Sequence, residues 1–120
     1  MTVKIKRVYE ESKPSDGLRI LVERLWPRGI KKEALKMDLW LKNVAPSTEL
    51  RKWFSHDVEK WKEFQTRYKN ELKLNAAEYQ PIIEASKHGT VTLLFSSRDI
   101  EHNNAVVLQA FIQQLQKEAN

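Results

Sequence analysis

The segment at residues 90–96 (TVTLLFS) constrains the fold more than any other, because it is apolar or β-branched at odd and even positions alike. A strand with one solvated face alternates apolar and polar residues, whereas a strand buried on both faces is apolar throughout. Strands of the second kind lie inside a sheet that is covered on each side. The segment therefore predicts a central strand of an α/β protein.

Two further strands are predicted upstream. Residues 3–8 alternate apolar and basic side chains, which is typical of a strand with one solvated face. Residues 18–26 are apolar at both parities and end at Pro27-Arg28-Gly29. A long helical stretch separates this second strand from the third, and crossovers of that length join parallel neighbours. Only about nine residues join the first two strands, a length that suggests a hairpin, so spacing leaves the direction of the first strand open.

The helical signals lie mainly between the second and third strands. A short helix is predicted at residues 31–36, and a second is opened by Pro46-Ser47-Thr48 and runs through Phe54. The third is capped by Asp57 and carries on one face Val58, Trp61, Phe64, Tyr68 and Leu72. The fourth is opened by an Asn75/Glu78 capping box and broken or kinked at Pro81, and the last is capped by Asn103. Residues 37–45 are ambiguous. The sum is an α/β fold: a compact single domain over residues 1–120, with a small, mainly parallel three-stranded sheet flanked by four or five helices.

The amino-acid composition excludes several kinds of functional site. The chain has no cysteine, which removes disulfides, thiolate zinc sites and cysteine nucleophiles, and a cytoplasmic location is the expectation. No apolar run is long enough to cross a membrane, and the charged N-terminus lacks the apolar core of a signal peptide. The three histidines show no ligand spacing, so no metal site is predicted, and any cofactor is unknown. The net charge of +5 lies entirely within residues 1–60, which favours an anionic partner or serves solubility alone.

The candidate site follows from the strand order. Ligands of open α/β sheets bind beyond the carboxyl ends of parallel strands. If the second and third predicted strands are adjacent, the segments that follow them share one cleft. Its ligand-binding candidates are Arg24, Trp26, Arg28, Ser96, Ser97, Arg98 and Asn103. Guanidinium groups and a helix N-terminus favour a phosphate or carboxylate, although Arg24–Glu23 and Arg98–Asp99 surface ion pairs are the structural alternative.

For two candidates, Trp26 and His56 with its neighbour Asp57, a structural interpretation stands beside the functional one. Trp26 either stacks on a ligand or closes the end of the core, and the core is favoured. His56 is the candidate catalytic acid/base because imidazole titrates near neutral pH. Asp57 does not form a dyad with it, since neighbours on a helix point apart, and Asp57 is better explained as a helix cap.

Four segments carry a family resemblance: RILVERLWPRGIKKE, APSTELRKWFSHD, WKEFQTRYKNEL and TLLFSSRDIEHNNAVVL. Together they resemble the YeaO-like branch of the domain-of-unknown-function family 488 from about residue 3 to residue 115. The resemblance implies a compact α/β fold with a small parallel sheet, and a cleft shared by Arg24, Pro27, Arg28, Arg98 and Asn103. Glu23 stands where that motif usually has Asp. A cysteine-containing run of longer relatives is absent, so their thiol chemistry does not carry over.

The functional prediction is a small enzyme or binding protein for a small anionic ligand. Two alternatives stay open: a non-catalytic interaction subunit, and a nucleic-acid-binding module that uses Lys4, Lys6, Arg7, Lys31, Lys32 and Lys36. No nucleic-acid motif supports the latter, and no membrane partner is expected. The sequence leaves the ligand, the reaction and the oligomeric state open.

Overall fold

A computed structural model describes residues 2–119 and contains one parallel sheet of four strands. The strands are β1 (Val3–Arg7), β2 (Leu18–Leu21), β3 (Leu39–Trp40) and β4 (Val91–Phe95), in the order β1-β4-β2-β3. The helices are α1 (Thr48–Phe54), α2 (Trp61–Leu74), α3 (Ala76–Ser86) and α4 (Asn104–Glu118), with short 3-10 turns at Pro14–Asp16, Lys42–Val44 and Val58–Lys60. The α/β class is confirmed. The extra strand, β3, comes from the segment that the sequence left ambiguous.

Strand β4 is the centre of the sheet, and all five of its residues are buried. It pairs in parallel with β1 on one side and with β2 on the other, so that Val91 lies beside both Val3 and Leu18. The direction of β1 is therefore parallel, as the family resemblance implied, and the hairpin suggested by spacing is wrong. Residues 8–17 join two strands that are not neighbours and cross β4 on the way.

The two faces of the sheet are covered differently. On the first face, Ile20, Leu93 and Phe95 belong to the main core with residues of all four helices. On the second face, Leu21 and Leu94 pack under the irregular chain that returns from β2 to β3, which supplies Trp26, Ile30, Leu35, Met37 and Trp40. The helices thus lie on one face only, and none of the helices in the described chain is long and apolar enough to span a bilayer.

Three local predictions are wrong. Residues 31–36 form turns and not a helix, because this stretch runs back along the sheet and presses Leu35 into the second core. The side chain of Asn75 makes no capping bond, so the predicted capping box is absent. The predicted break at Pro81 does not occur, because helix α3 continues through this exposed residue while Tyr79 and Ile82 anchor the helix on the core.

The second strand ends earlier than predicted, at Leu21 and not at Trp26. One more ladder bond follows, from Val22 N to Leu94 O at 3.2 Å. Beyond it, the next N–H of the β4 side, that of Ser96, donates to the Glu23 carboxylate at 2.8 Å. The Glu23 side chain therefore accepts the backbone N–H that would otherwise continue the β2–β4 ladder, and the two segments separate at this point.

The predicted caps at Asp57 and Asn103 are confirmed, and the structure adds a third cap at Ser47. Ser47 Oγ accepts from Leu50 N at 3.1 Å at the start of α1, and Asn103 Oδ1 accepts from Val106 N at 3.1 Å at the start of α4. Asp57 Oδ1 accepts from Glu59 N at 3.0 Å and caps the 3-10 turn that leads into α2. Each bond satisfies a backbone N–H that has no partner within its helix.

A buried charge cluster holds the crossing of residues 8–17 in place. The Asp16 carboxylate is ion-paired with Lys6, at 2.9 Å, and with Arg19, and it accepts from Lys13 N at 3.0 Å. The Asp16 carbonyl accepts from the Thr92 hydroxyl of β4 at 2.6 Å. Asp16 and Arg19 are only 4% and 5% exposed. The cluster therefore ties β1, β4 and β2 together across the second face.

We expect Asp16→Asn to lower the free energy of unfolding by about 3–5 kcal/mol, because removing one partner leaves the charges of half-buried Lys6 and buried Arg19 uncompensated. Urea unfolding at pH 7 measures the change. Glu63→Gln is the matched control: it breaks an exposed pair with Arg67 one helical turn away and should cost less than about 1 kcal/mol. Equal effects of the two substitutions would contradict a central role for Asp16.

The same cluster should make stability depend on acid pH. Burial by itself raises the pKa of Asp16, but hydrogen bonds from Lys13 N, Lys6 and Arg19 outweigh it and lower the pKa from 3.8 to about 2. A carboxyl with a depressed folded-state pKa stabilises the fold above its unfolded value and loses that contribution as the pH falls through the folded value. The stability difference between wild type and Asp16→Asn should be constant above pH ~5 and shrink towards pH ~2. A difference that does not change over this range, measured by denaturant unfolding, would rule the mechanism out.

Candidate functional site

A cleft of about 680 Å³ lies at the carboxyl ends of β2 and β4, where the sequence predicts the site. The chain after β2 and the chain after β4 form two of its walls, and α1 with the residues just after it adds a third. The predicted residues all line this space: Arg24, Trp26, Arg28, His56, Ser96, Ser97, Arg98 and Asn103. The structure thus brings them together, and their roles towards a ligand stay predictions.

Glu23 is the residue of the cleft that the sequence treated only as an ion-pair partner. Its Oε1 accepts from Ser96 N at 2.8 Å and from Ser96 Oγ at 3.1 Å. Its backbone is fixed by Trp40, whose indole N–H donates to the Glu23 carbonyl at 2.7 Å. Burial raises the pKa of the Glu23 carboxyl, and the Ser96 hydrogen bonds and the charges of His56 and Arg51 oppose that rise without cancelling it.

Arg24 is held by backbone carbonyls and not by Glu23. Its Nε donates to Pro46 O at 3.0 Å and its Nη2 to Ala45 O at 3.2 Å. These bonds fasten the start of α1 to the end of β2. The Arg24–Glu23 ion pair considered from the sequence does not form, and Arg24 positions the wall of the cleft.

The other arginines of the cleft have no such partners. The guanidinium groups of Arg28, Arg51 and Arg98 make no hydrogen bond or ion pair with any residue in the range 2–119, and all three side chains are exposed. The predicted Arg98–Asp99 pair is also absent. Arg51 was not predicted as a site residue. Its place in the polar and aromatic run RKWFSHD was the only sequence signal for such a role.

The chain after β4 is organised by Asp99. Its Oδ1 accepts from the N–H groups of Glu101 and His102, both at 2.9 Å, and its Oδ2 contacts His102 Nδ1 at 2.9 Å. The Glu101 N–H and the His102 contacts lower the pKa of the Asp99 carboxyl against a smaller effect of desolvation. His102 therefore stands in a fixed orientation beside the cleft. Its spacing of three residues from Asp99 was the sequence signal for this pair.

Asn103 supports this loop from inside. Its Oδ1 caps α4, and its Nδ2 donates to Asp99 O at 2.9 Å, so both polar ends of the side chain are occupied. Asn103 is only 4% exposed. Its neighbour Asn104 donates from Nδ2 to Val22 O at 2.8 Å and ties α4 to the end of β2. The two amides fix the relative positions of the cleft walls.

His56 reaches the cleft through an unusual backbone. Ser55 and His56 have φ values of 44° and 58°, the left-handed region that L-residues with a side chain seldom adopt. Two such residues in a row place strain in the turn between α1 and the next 3-10 turn. Strained backbone at a cleft is a common mark of a functional position. The acid/base role of His56 stays a prediction.

The aromatic side chains in and beside the cleft mainly pack against one another and against the core. Trp26 donates its indole N–H to Ile30 O at 2.6 Å and packs edge-on against Trp40 at 5.4 Å, within the second core. Phe54 stacks on Phe64 at a centroid distance of 4.2 Å. The edge of Trp61 meets His102 at 5.2 Å. Trp26 therefore closes the core, as favoured above, while one side of it faces the cleft.

Part of the basic surface predicted for nucleic acid is occupied internally. Lys6 is bound to Asp16 and to Glu11 O, and Lys4 Nζ donates to Ser15 O at 3.0 Å. Arg7 Nε donates to Ser97 O at 2.8 Å. Three of the six side chains proposed for that surface thus hold the protein's own backbone or carboxylates. Within residues 2–119, no group of three His, Asp or Glu side chains is arranged to hold a metal ion.

Comparison with known proteins decides the family. The chain matches the family described as "Inactive DUF488-N3 subclade" over residues 2–120. It belongs to this family. It is 43% identical over 115 residues to "Uncharacterized protein YeaO" of Escherichia coli K12, covering 96% of this chain and all of that protein. It is 41% identical over 106 residues to "Uncharacterized protein Rv3073c" of Mycobacterium tuberculosis, covering 88% and 89% of the two chains. No solved structure matches the chain.

We expect Glu23 to titrate above its ordinary value of 4.5 and Ser96→Ala to raise its pKa further, because the hydroxyl hydrogen bond favours the charged carboxylate. A ¹³C NMR titration of the side-chain carboxyl, assigned through Glu23→Gln, measures both values. Ser97→Ala is the matched control and should leave the Glu23 pKa unchanged. A pKa at or below 4.5, or the same shift from both serine variants, would contradict this environment.

Proposed function

We propose that the protein is a cytoplasmic, non-catalytic binding protein for a small anionic ligand, which it holds in the cleft at the ends of β2 and β4. The single observation that carries the proposal is the set of three guanidiniums, Arg28, Arg51 and Arg98, that line the cleft without an acidic partner in the described chain. Guanidinium groups pair with phosphate or carboxylate in bidentate fashion, so three guanidiniums around one space favour a ligand that supplies the negative charge.

The size and charge of the cleft support the same proposal. A volume of about 680 Å³ falls within the range typical of small-molecule sites. Four arginines and two carboxylates line it, which leaves an excess of positive charge even before any histidine is protonated. That excess also raises the local concentration of an anion by steering.

The description of the family as inactive favours binding over catalysis. Acid/base groups are present, since Glu23, His56 and His102 all line the cleft. However, the contacts of Glu23 and His102 tie them to Ser96 and Asp99, and these bonds position the walls of the cleft. The proposal therefore assigns them to ligand recognition. A catalytic role for His56 would require turnover of a phosphate ester, which the purified protein should not show.

We expect Arg28→Ala, Arg51→Ala and Arg98→Ala each to weaken the binding of inorganic pyrophosphate about fivefold, because each removes one charge-assisted donor worth roughly 1 kcal/mol at an exposed position. Titration calorimetry at low ionic strength measures the affinities. Arg67→Ala is the matched control, since it removes the same charge from α2 outside the cleft and should change nothing.

Two outcomes would count against the proposal. If Arg67→Ala weakens binding as much as the cleft variants, the attraction is a property of net charge and not of a site. If wild type binds no pyrophosphate but binds single-stranded RNA or duplex DNA with a steep salt dependence, the nucleic-acid alternative takes its place.

A further inference from the structure

The Glu23 carboxylate is out of place in a site built only for an anion. It lies where β2 and β4 separate, and it is more buried than the three free arginines, which are exposed. The cleft is therefore positive at its solvent side and carries a carboxylate further in. An anionic ligand that filled it entirely would bring like charges together at Glu23.

Only one oxygen of this carboxylate has a partner within residues 2–119. Oε1 accepts both bonds from Ser96, whereas Oε2 accepts none from any group within residues 2–119. No buried side-chain oxygen or nitrogen in that range lacks a partner, so Oε2 must reach the open space of the cleft. It is an acceptor that faces the ligand space.

A hydroxyl group suits this acceptor better than an ammonium group. An ionised carboxylate only accepts hydrogen bonds, so the ligand must donate. An ammonium group would have to enter a cleft with four arginines, near the charges of Arg51 and His56 that act on Glu23. A neutral hydroxyl donates without that repulsion, and the hydroxyls of Ser96 and Ser97 offer further partners for it.

We propose that the cleft takes a phosphate monoester that carries hydroxyl groups, with its phosphate among Arg28, Arg51 and Arg98 and one hydroxyl donating to Glu23 Oε2. This inference rests on the proposed function and adds the class of ligand to it. The phosphate satisfies the unpaired guanidiniums, and the hydroxylated part replaces the water that would otherwise solvate Oε2.

The test compares two phosphate esters with chains of similar length, ribose 5-phosphate and pentyl phosphate, by titration calorimetry on the full chain. Wild type should bind ribose 5-phosphate about tenfold more tightly than pentyl phosphate, as expected for a hydrogen bond to a charged acceptor. Glu23→Gln keeps an oxygen for Ser96 and should reduce the preference for ribose 5-phosphate, because a neutral amide replaces the charged acceptor. Circular dichroism checks that the variant folds.

The outcomes separate this inference from the proposed function. Equal affinity of wild type for the two esters, or an unchanged preference in Glu23→Gln, overturns the hydroxyl contact while leaving anion binding intact. Failure of wild type to bind either ester or pyrophosphate overturns both. If Glu23→Gln does not fold, equal affinity of wild type for the two esters still overturns the hydroxyl contact, because that comparison requires no variant.

Discussion

The fold depends on the Asp16 carboxylate, because it allows a short connection to join two parallel strands that are not neighbours. Residues 8–17 must cross β4, and a crossing of this length has no room for a helix to cover the sheet. Asp16 compensates by binding Lys6 of β1 and Arg19 of β2 while its carbonyl accepts from Thr92 of β4. At the adjoining Gly17, with φ of 64°, a Cβ would lie 2.1 Å from Thr90 O, so only glycine fits.

The position of the cleft is a consequence of that crossing. Once β1 lies on the far side of β4, β2 becomes the parallel neighbour of β4, and the two chain exits reach the same edge of the sheet. The Glu23 side chain then takes the Ser96 N–H, which separates the exits and opens the space between them. Arg24 and Asn104 hold that opening at a fixed width by binding carbonyls of the opposite walls. The cleft is thus framed by polar bonds and not by packing alone.

The sequence predicted the parts whose signal is local. Apolar runs located β4 and α2, and short polar side chains located the caps at Asp57 and Asn103. The predictions from the sequence failed where contacts between residues far apart in the chain determine the local structure. The direction of β1 is determined by its pairing with β4, which is distant in the sequence, and the strand β3 has only two residues. Residues 31–36 adopt turns, and Leu35 packs on the second face of the sheet. Within the cleft, the residue types and the edge of the sheet were predictable, but the contact of Glu23 with Ser96 was not, because the shorter of its two bonds comes from a backbone N–H.

The arginines of the cleft show why residue type alone does not assign a role. Arg24 and Arg28 are four residues apart in one motif. The guanidinium of Arg24 donates to two backbone carbonyls, whereas that of Arg28 has no partner within the described chain. A guanidinium bound to carbonyls has its hydrogen-bond partners without an anion, and removing the Arg24 side chain would first displace α1. A guanidinium with no partner remains solvated and gains most when an anion arrives. The proposed anion recognition therefore rests on the arginines to which the fold gives no partner within residues 2–119.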